Sequence, residues 1–182
     1  MNSLLTIGGA AKWAVVLTLA VLMSWTGSLA RIPVKGGPVG IVHLELAFTT
    51  RAADRFMQAW ITARPTWQRD LNAAQAWDTW FICTYAPLFA LLCWLAADQF
   101  APNLPRIAAV GYALAGAQLL AGALDFIENA AMQRTIDAGH ATAPWPLIGA
   151  TASATKWALI LVFALYAVIA GIHWLVGFVQ KM

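Results

Sequence analysis

Charged residues are scarce in this sequence, since only 10% of its 182 residues are Asp, Glu, Lys or Arg. A soluble domain carries about 25% charged residues. Hydrophobic residues make up 61% of the chain, and the mean hydropathy is +0.69. So few charges cannot cover a surface that faces water, which excludes an ordinary soluble domain and predicts an integral membrane protein. The length fits one transmembrane domain over residues 1–182.

Cysteine is nearly absent as well, since the chain contains only Cys83 and Cys93. On one helix these residues lie about 15 Å apart along the axis, whereas a disulfide needs Cα atoms within about 7 Å. The sequence therefore predicts two free thiols. It also lacks CxxC, HExxH, HxxxH and GxSxG motifs and a glycine-rich phosphate loop. We expect no metal site, and no cofactor is indicated.

Basic residues form no cluster, although the formal net charge is +3 and the pI is about 9.1. A nucleic-acid-binding surface needs a basic block, so we expect no nucleic-acid partner. We interpret the small positive excess as charge bias at a membrane surface. The lipid bilayer is thus the first expected partner.

Four long apolar runs are the main positive feature of the sequence. A membrane-spanning helix needs about 20 mostly apolar residues, and we predict spans at residues 13–30, 77–97, 107–131 and 157–179. Pro87 lies inside the second run, where a membrane helix tolerates a kink. The predicted fold class is all-α: a polytopic bundle of four transmembrane helices. We expect it in the cell membrane, as a multi-pass protein of a bacterial inner or plasma membrane.

The first apolar run has a second interpretation, which is a cleavable signal peptide. Lys12 precedes the run, and the triplet SLA precedes Arg31, as is typical of such a peptide. The run is long for a signal peptide, and Trp25 lies close to the expected cleavage point. We therefore favour a retained helix.

An amphipathic segment lies in the long connection between the first two runs, at residues 43–63. Apolar side chains such as Phe48 and Phe56 recur on one side, while Arg51 and Arg55 take the other. A basic helix with aromatic anchors is typical of one that lies flat in the membrane interface. A helix packed on the end of the bundle would give the same pattern, and the two interpretations are compatible.

The charges are distributed unequally between the two ends of the predicted bundle. With four spans, the first and third connections share one side, and the termini and the second connection share the other. Most of the 11 basic and 8 acidic residues fall on the first side. The positive-inside rule then places the first side in the cytoplasm and both termini outside. The charges on the second side are Lys12, Asp98, Arg106 and Lys181.

Polar side chains interrupt the third apolar run in the stretch LDFIENAAM, residues 124–132. Asp125 follows Arg106 by about 28 Å of helix, close to the full thickness of a hydrocarbon core of about 30 Å. Asp125 therefore lies near the far boundary of the membrane. Glu128 and Asn129 follow at i+3 and i+4, so all three share one helix face.

The other segments bring polar residues to the same end of the bundle. Asp78 and Tyr85 share a face of the second predicted helix, Lys156 precedes the fourth, and His43 and Glu45 begin the amphipathic segment. We predict that these residues converge on a ligand-binding site. The predicted site residues are Asp78, Tyr85, Asp125, Glu128, Asn129, Lys156, His43 and Glu45.

Each of these residues also has a structural interpretation. Lys156 or Arg134 would neutralise the acids, or Lys156 would extend to the membrane surface. Asp78 would be a helix-start residue favoured by the helix dipole. An ionisable cluster inside a membrane domain is nevertheless a functional-site hypothesis by default, which is the interpretation we favour.

The function that the pattern favours is binding of a lipid or another amphiphilic small ligand, with the tail between helices and the headgroup at the polar cluster. An alternative is a membrane-embedded enzyme that uses the Asp/Glu cluster on a lipid substrate, with or without a metal ion. Two further alternatives are a transporter and a structural subunit. The latter would join a homo-oligomer or a larger membrane complex through small-residue helix faces.

Overall fold

The computed structural model describes residues 2–179, and all regular secondary structure in that range is helical. Within it, four helices contain stretches long and apolar enough to cross a membrane, which confirms the all-α class and the four apolar helices. Lys181, counted above among the charges of the terminal side, lies outside the described residues. The helices are α1 (Asn2–Arg31), α2 (Val42–Glu45), α3 (Thr50–Ala63), α4 (Trp67–Phe100), α5 (Pro105–Ala138) and α6 (Trp145–Val179).

The long helices extend beyond the predicted spans by about two to three turns at the end that carries the polar cluster. Helix α4 begins at Trp67, α5 ends at Ala138, and α6 begins at Trp145. The predicted bounds followed hydropathy alone, whereas Gln, Asn and Thr side chains are compatible with a helix. Pro105 begins α5 at its first turn, and Gly139, with φ of 69°, ends it in the left-handed conformation.

Close packing of small residues holds the long helices together. Helix α5 packs between α4 and α6, and α1 packs on α4. At Gly122 of α5, an added Cβ would lie only 2.7 Å from the Cβ of Ala86 on α4, so glycine permits this approach. Cys83 is exposed and Cys93 is buried, and both are free thiols, as the sequence predicts.

The amphipathic connection forms two helices rather than one continuous helix over residues 43–63. Residues 46–49 separate α2 from α3, and Thr49 caps α3 by accepting a hydrogen bond from the backbone N–H of Ala52 at 3.2 Å. The apolar face of α3 is buried on the end of the bundle. Its core includes Phe56, Met57 and Trp60, which lie in one cluster with Leu71, Met132 and Ile136.

Candidate functional site

A buried ammonium group pairs with two carboxylates where α5 and α6 pack together. Lys156 Nζ lies 2.6 Å from Asp125 Oδ1 and 2.6 Å from Glu128 Oε2, and the three side chains are at most 6% exposed. The interpretation in which Lys156 extends to the membrane surface is therefore wrong. Helix α6 begins 11 residues before Lys156, so this residue lies about three turns inside the helix rather than at its start.

Hydrogen bonds between α4 and α5 complete the arrangement around these charges. Tyr85 donates its hydroxyl hydrogen to Asp125 Oδ2 at 2.8 Å, so both oxygens of Asp125 have partners. Asn129 donates from Nδ2 to Asp78 Oδ2 at 2.7 Å. Asp78 also lies 11 residues after the first residue of α4, so the interpretation of Asp78 as a helix-start residue is wrong.

A cavity of about 400 Å³ adjoins this network and is bounded by α1, α2, α4, α5 and α6. Its walls away from the charges are mostly apolar and include Phe81, Phe89 and Ile160. One region of its lining is polar, so the cavity has both a polar surface and an apolar surface. The polar and charged residues that line it are Arg31, Glu45, Gln75, Asp78, Tyr85, Asp125, Asn129 and Lys156.

Six of the eight predicted site residues therefore line one cavity, and two do not. Glu128 lies behind the wall, paired with Lys156. His43 is exposed, and its Nδ1 lies 3.2 Å from the backbone oxygen of Gly40. Residues two apart on a helix point in different directions, so His43 is directed away when Glu45 faces the cavity.

Gln75 is a cavity residue that the sequence reasoning missed. The residue is only 8% exposed, and neither Nε2 nor Oε1 has a hydrogen-bond partner within the described part of the chain. Buried polar groups in folded proteins are nearly always hydrogen-bonded. The available signal is its position at i−3 from Asp78, on the face that carries Tyr85, but the predicted second span begins only at residue 77.

Glu45 brings a further carboxyl group to the cavity from α2. Its Oε2 atom is buried and has no hydrogen-bond partner among the described residues. Burial raises the pKa of Glu45 above its ordinary value of 4.5, and the nearby Asp78 and Asp125 act in the same direction. Lys156 and a hydrogen bond from Trp157 oppose this shift. The Glu45 carboxyl group thus lacks a full set of partners.

The described residues contain no group of three or more His, Cys, Asp and Glu side chains arranged to hold a metal ion. Fold and site together define a helical protein, compatible with an integral membrane protein, that has a partly polar cavity at one end of its bundle. Comparison of the chain with protein-family models, curated proteins and solved structures finds no match.

Proposed function

We propose that this protein is a multi-pass protein of the cell membrane that binds an amphiphilic small ligand in the cavity. The headgroup lies against the polar lining and the tail along the apolar walls. The observation that carries the proposal is the pairing of these two surfaces in one space of about 400 Å³. Small-molecule sites are typically clefts of about 300–1,000 Å³, mostly apolar, with a few placed polar groups.

The outer surfaces of the long helices support the membrane part of the proposal. Large apolar side chains on α1 and α6 are exposed, for example Val21 at 67% and Leu161 at 62%. Contiguous exposed apolar surface marks an interaction surface, and on helices of this length a bilayer satisfies it. The positive-inside rule favours a cytoplasmic position for the end that carries the cavity, with α3 close to the interface.

The packing of the helices supports entry from the bilayer. Helix α1 packs on α4, whereas α6 packs mainly on α5, and α1 and α6 share no extended contact among the described residues. The cavity is nevertheless lined by Ala30 of α1 and Ile160 of α6. We expect an apolar tail to enter from the hydrocarbon core between these two helices.

A cavity-filling variant tests the proposal. Ala30→Phe places a ring inside the cavity, while Ser28→Phe, at an exposed position of the same helix, adds the same ring outside it. Native mass spectrometry in a bulky sterol-based detergent, with single-chain lysophospholipids as probes, counts the bound copies. We expect the wild-type protein and Ser28→Phe to bind one copy and Ala30→Phe to bind none. Equal binding by all three proteins would contradict the proposal.

A further inference from the structure

We propose that the ligand of this cavity carries an ammonium group, bound at Glu45, Asp78 and Gln75, on an apolar chain. This inference rests on the proposed function, because it specifies the chemical class of the amphiphile. Three independent features of the cavity support it: the balance of charges, the unpartnered amide and the aromatic walls.

The salt bridges among the described residues leave two carboxyl groups of the cavity without an ion-pair partner. Lys156 already pairs with both Asp125 and Glu128. Glu45 and Asp78 form no salt bridge with any described side chain, and the one hydrogen-bond donor to Asp78 is the neutral amide of Asn129. Charges removed from water are stabilised by pairing. A cationic headgroup would supply the missing partner.

Arg31 does not supply that partner inside the cavity. It is the last residue of α1, it is exposed to solvent, and it forms no salt bridge with a described side chain. Because Arg31 lies at the rim of the cavity, two kinds of headgroup should fit the cavity differently. An ammonium group with an anionic neighbour, as in an ethanolamine phospholipid, would meet carboxylates inside and a guanidinium at the rim. An isolated anion would meet unpaired carboxylates.

The amide of Gln75 supplies a further acceptor that nothing in the described chain uses. Both of its polar atoms are buried without partners, and it lies one turn before Asp78 on α4. A primary ammonium group has three hydrogen atoms to donate. Glu45, Asp78 and the Oε1 atom of Gln75 provide three acceptors in the lining of one cavity.

Aromatic rings complete the environment that an alkylammonium ligand requires. Phe81 and Trp157 line the same cavity as these acceptors. The Trp157 ring already lies 5.6 Å from the Lys156 ammonium group, so we assign the contact with the ligand ammonium to Phe81. Aromatic faces attract ammonium groups through their quadrupole, most strongly where water is excluded. Phe89 and Ile160 continue the wall with apolar surface for the chain that carries the charge.

The test compares probes that share one chain length and differ only in the headgroup. Dodecylammonium, dodecanol and dodecanoate are titrated into the full-length protein at neutral pH, and native mass spectrometry in a sterol-based detergent measures their affinities. A charge-assisted hydrogen-bond set predicts that dodecylammonium binds at least about tenfold more tightly than dodecanol. We expect dodecanoate to bind more weakly than either dodecylammonium or dodecanol.

Two variants test whether Glu45 and Asp78 cause the preference for dodecylammonium over dodecanol. Glu45→Gln and Asp78→Asn each replace a carboxyl group by a neutral amide, and asparagine at residue 78 keeps an oxygen that accepts from Asn129. Each variant should bring dodecylammonium to the affinity of dodecanol and leave dodecanol binding unchanged, which also reports that the variant is folded. Asp98→Asn, at the exposed Lys12 salt bridge outside the cavity, is the matched control and should change nothing.

The outcomes separate this inference from the proposed function. Equal affinity for the three probes, or an ammonium preference that survives both variants, overturns the inference and leaves amphiphile binding intact. Failure of every probe to bind contradicts the proposed function itself. Lysophosphatidylethanolamine and lysophosphatidylglycerol of equal acyl chain then identify the source. Tighter binding of lysophosphatidylethanolamine than of lysophosphatidylglycerol supports a lipid as the ligand. A preference for dodecylammonium without a preference between the two lysolipids supports a small apolar amine.

Discussion

Lys156 and Asp125 form a buried ion pair, with 2.6 Å between Nζ and Oδ1 and only 6% of each side chain exposed. Glu128 shares the same ammonium group, and Tyr85 donates to the second oxygen of Asp125. The pair therefore joins α5 to α6 directly and to α4 through the tyrosine. The role of the pair is first of all structural, because it joins the helices that carry the rest of the polar lining of the cavity.

Removal of the shared cation should destabilise the fold. In Lys156→Met two buried carboxylates lose their counter-ion, and breaking a buried pair in this way costs about 3–5 kcal/mol. The measurement is the free energy of unfolding in mixed micelles. The triple variant Lys156→Met, Asp125→Asn, Glu128→Gln should recover much of the loss.

The control for this prediction is Lys12→Met. Lys12 pairs with Asp98 at 3.7 Å, and the two side chains are 55% and 40% exposed. An exposed pair contributes about 0–1 kcal/mol. If Lys156→Met and Lys12→Met lose equal stability, the buried pair does not hold the helices together.

Gln75→Leu should separate ligand binding from stability. The amide has no partner among the described residues, so its replacement by an apolar side chain of similar size should leave the ligand-free protein equally stable or more stable. With dodecylammonium present, the variant should lose the stabilisation that the probe gives to the wild-type protein. Thermal unfolding with and without the probe measures both effects.

Gln118→Leu is the matched comparison for that experiment. Gln118 is fully buried in α5, but its Nε2 donates to the backbone oxygen of Leu159 at 3.1 Å. Loss of this hydrogen bond should cost about 0.5–1.5 kcal/mol and leave the effect of the probe intact. A large loss of stability in ligand-free Gln75→Leu would mean that Gln75 is a structural residue.

The small-residue contact between α4 and α5 should not tolerate a methyl group. Gly122→Ala brings a Cβ to 2.7 Å from the Cβ of Ala86, and overpacking of this kind costs about 1–3 kcal/mol. Gly116 lies on the same helix with no atom within 4 Å of an added Cβ. Gly116→Ala should therefore be neutral or stabilising, because alanine is the better helix former. Equal effects in unfolding measurements would refute this packing.

The raised pKa of Glu45 predicts a pH-dependent stability. Because burial raises the pKa above 4.5, the folded protein holds this proton at pH values where the unfolded chain has lost it. The free energy of unfolding therefore falls as pH rises from 4.5 through the raised pKa. Glu45→Gln cannot ionise, so its stability relative to the wild-type protein should increase over that interval. A constant difference across the interval would contradict the assignment.

Helical periodicity and the four-helix topology predicted part of the set of polar residues that meet. The i+3 and i+4 spacing of Asp125, Glu128 and Asn129, with the topology of four apolar helices, brought these residues to the end of the bundle where Asp78 and Lys156 are found. Hydropathy alone did not predict how deep within a helix each residue lies. Because α4 and α6 begin at Trp67 and Trp145, Asp78 and Lys156 lie inside helices rather than at their starts.

Two features of the site could not be predicted from the sequence. The sequence predicts both Glu45 and His43 as site residues, whereas the four-residue length and the orientation of α2 decide which of them faces the cavity. Gln75 carries no charge and precedes the apolar run, so its burial became evident only once α4 was seen to begin at Trp67. Both depend on tertiary packing rather than on local pattern.

An experimental density map of the purified protein with dodecylammonium tests the central claim most directly. Ligand binding in the cavity predicts elongated density along Phe81 and Phe89. Its polar end should lie within hydrogen-bonding distance, about 2.7–3.2 Å, of the side chains of Gln75 and Asp78. A cavity that holds only isolated water peaks, with the amide of Gln75 bonded to water, would contradict the account.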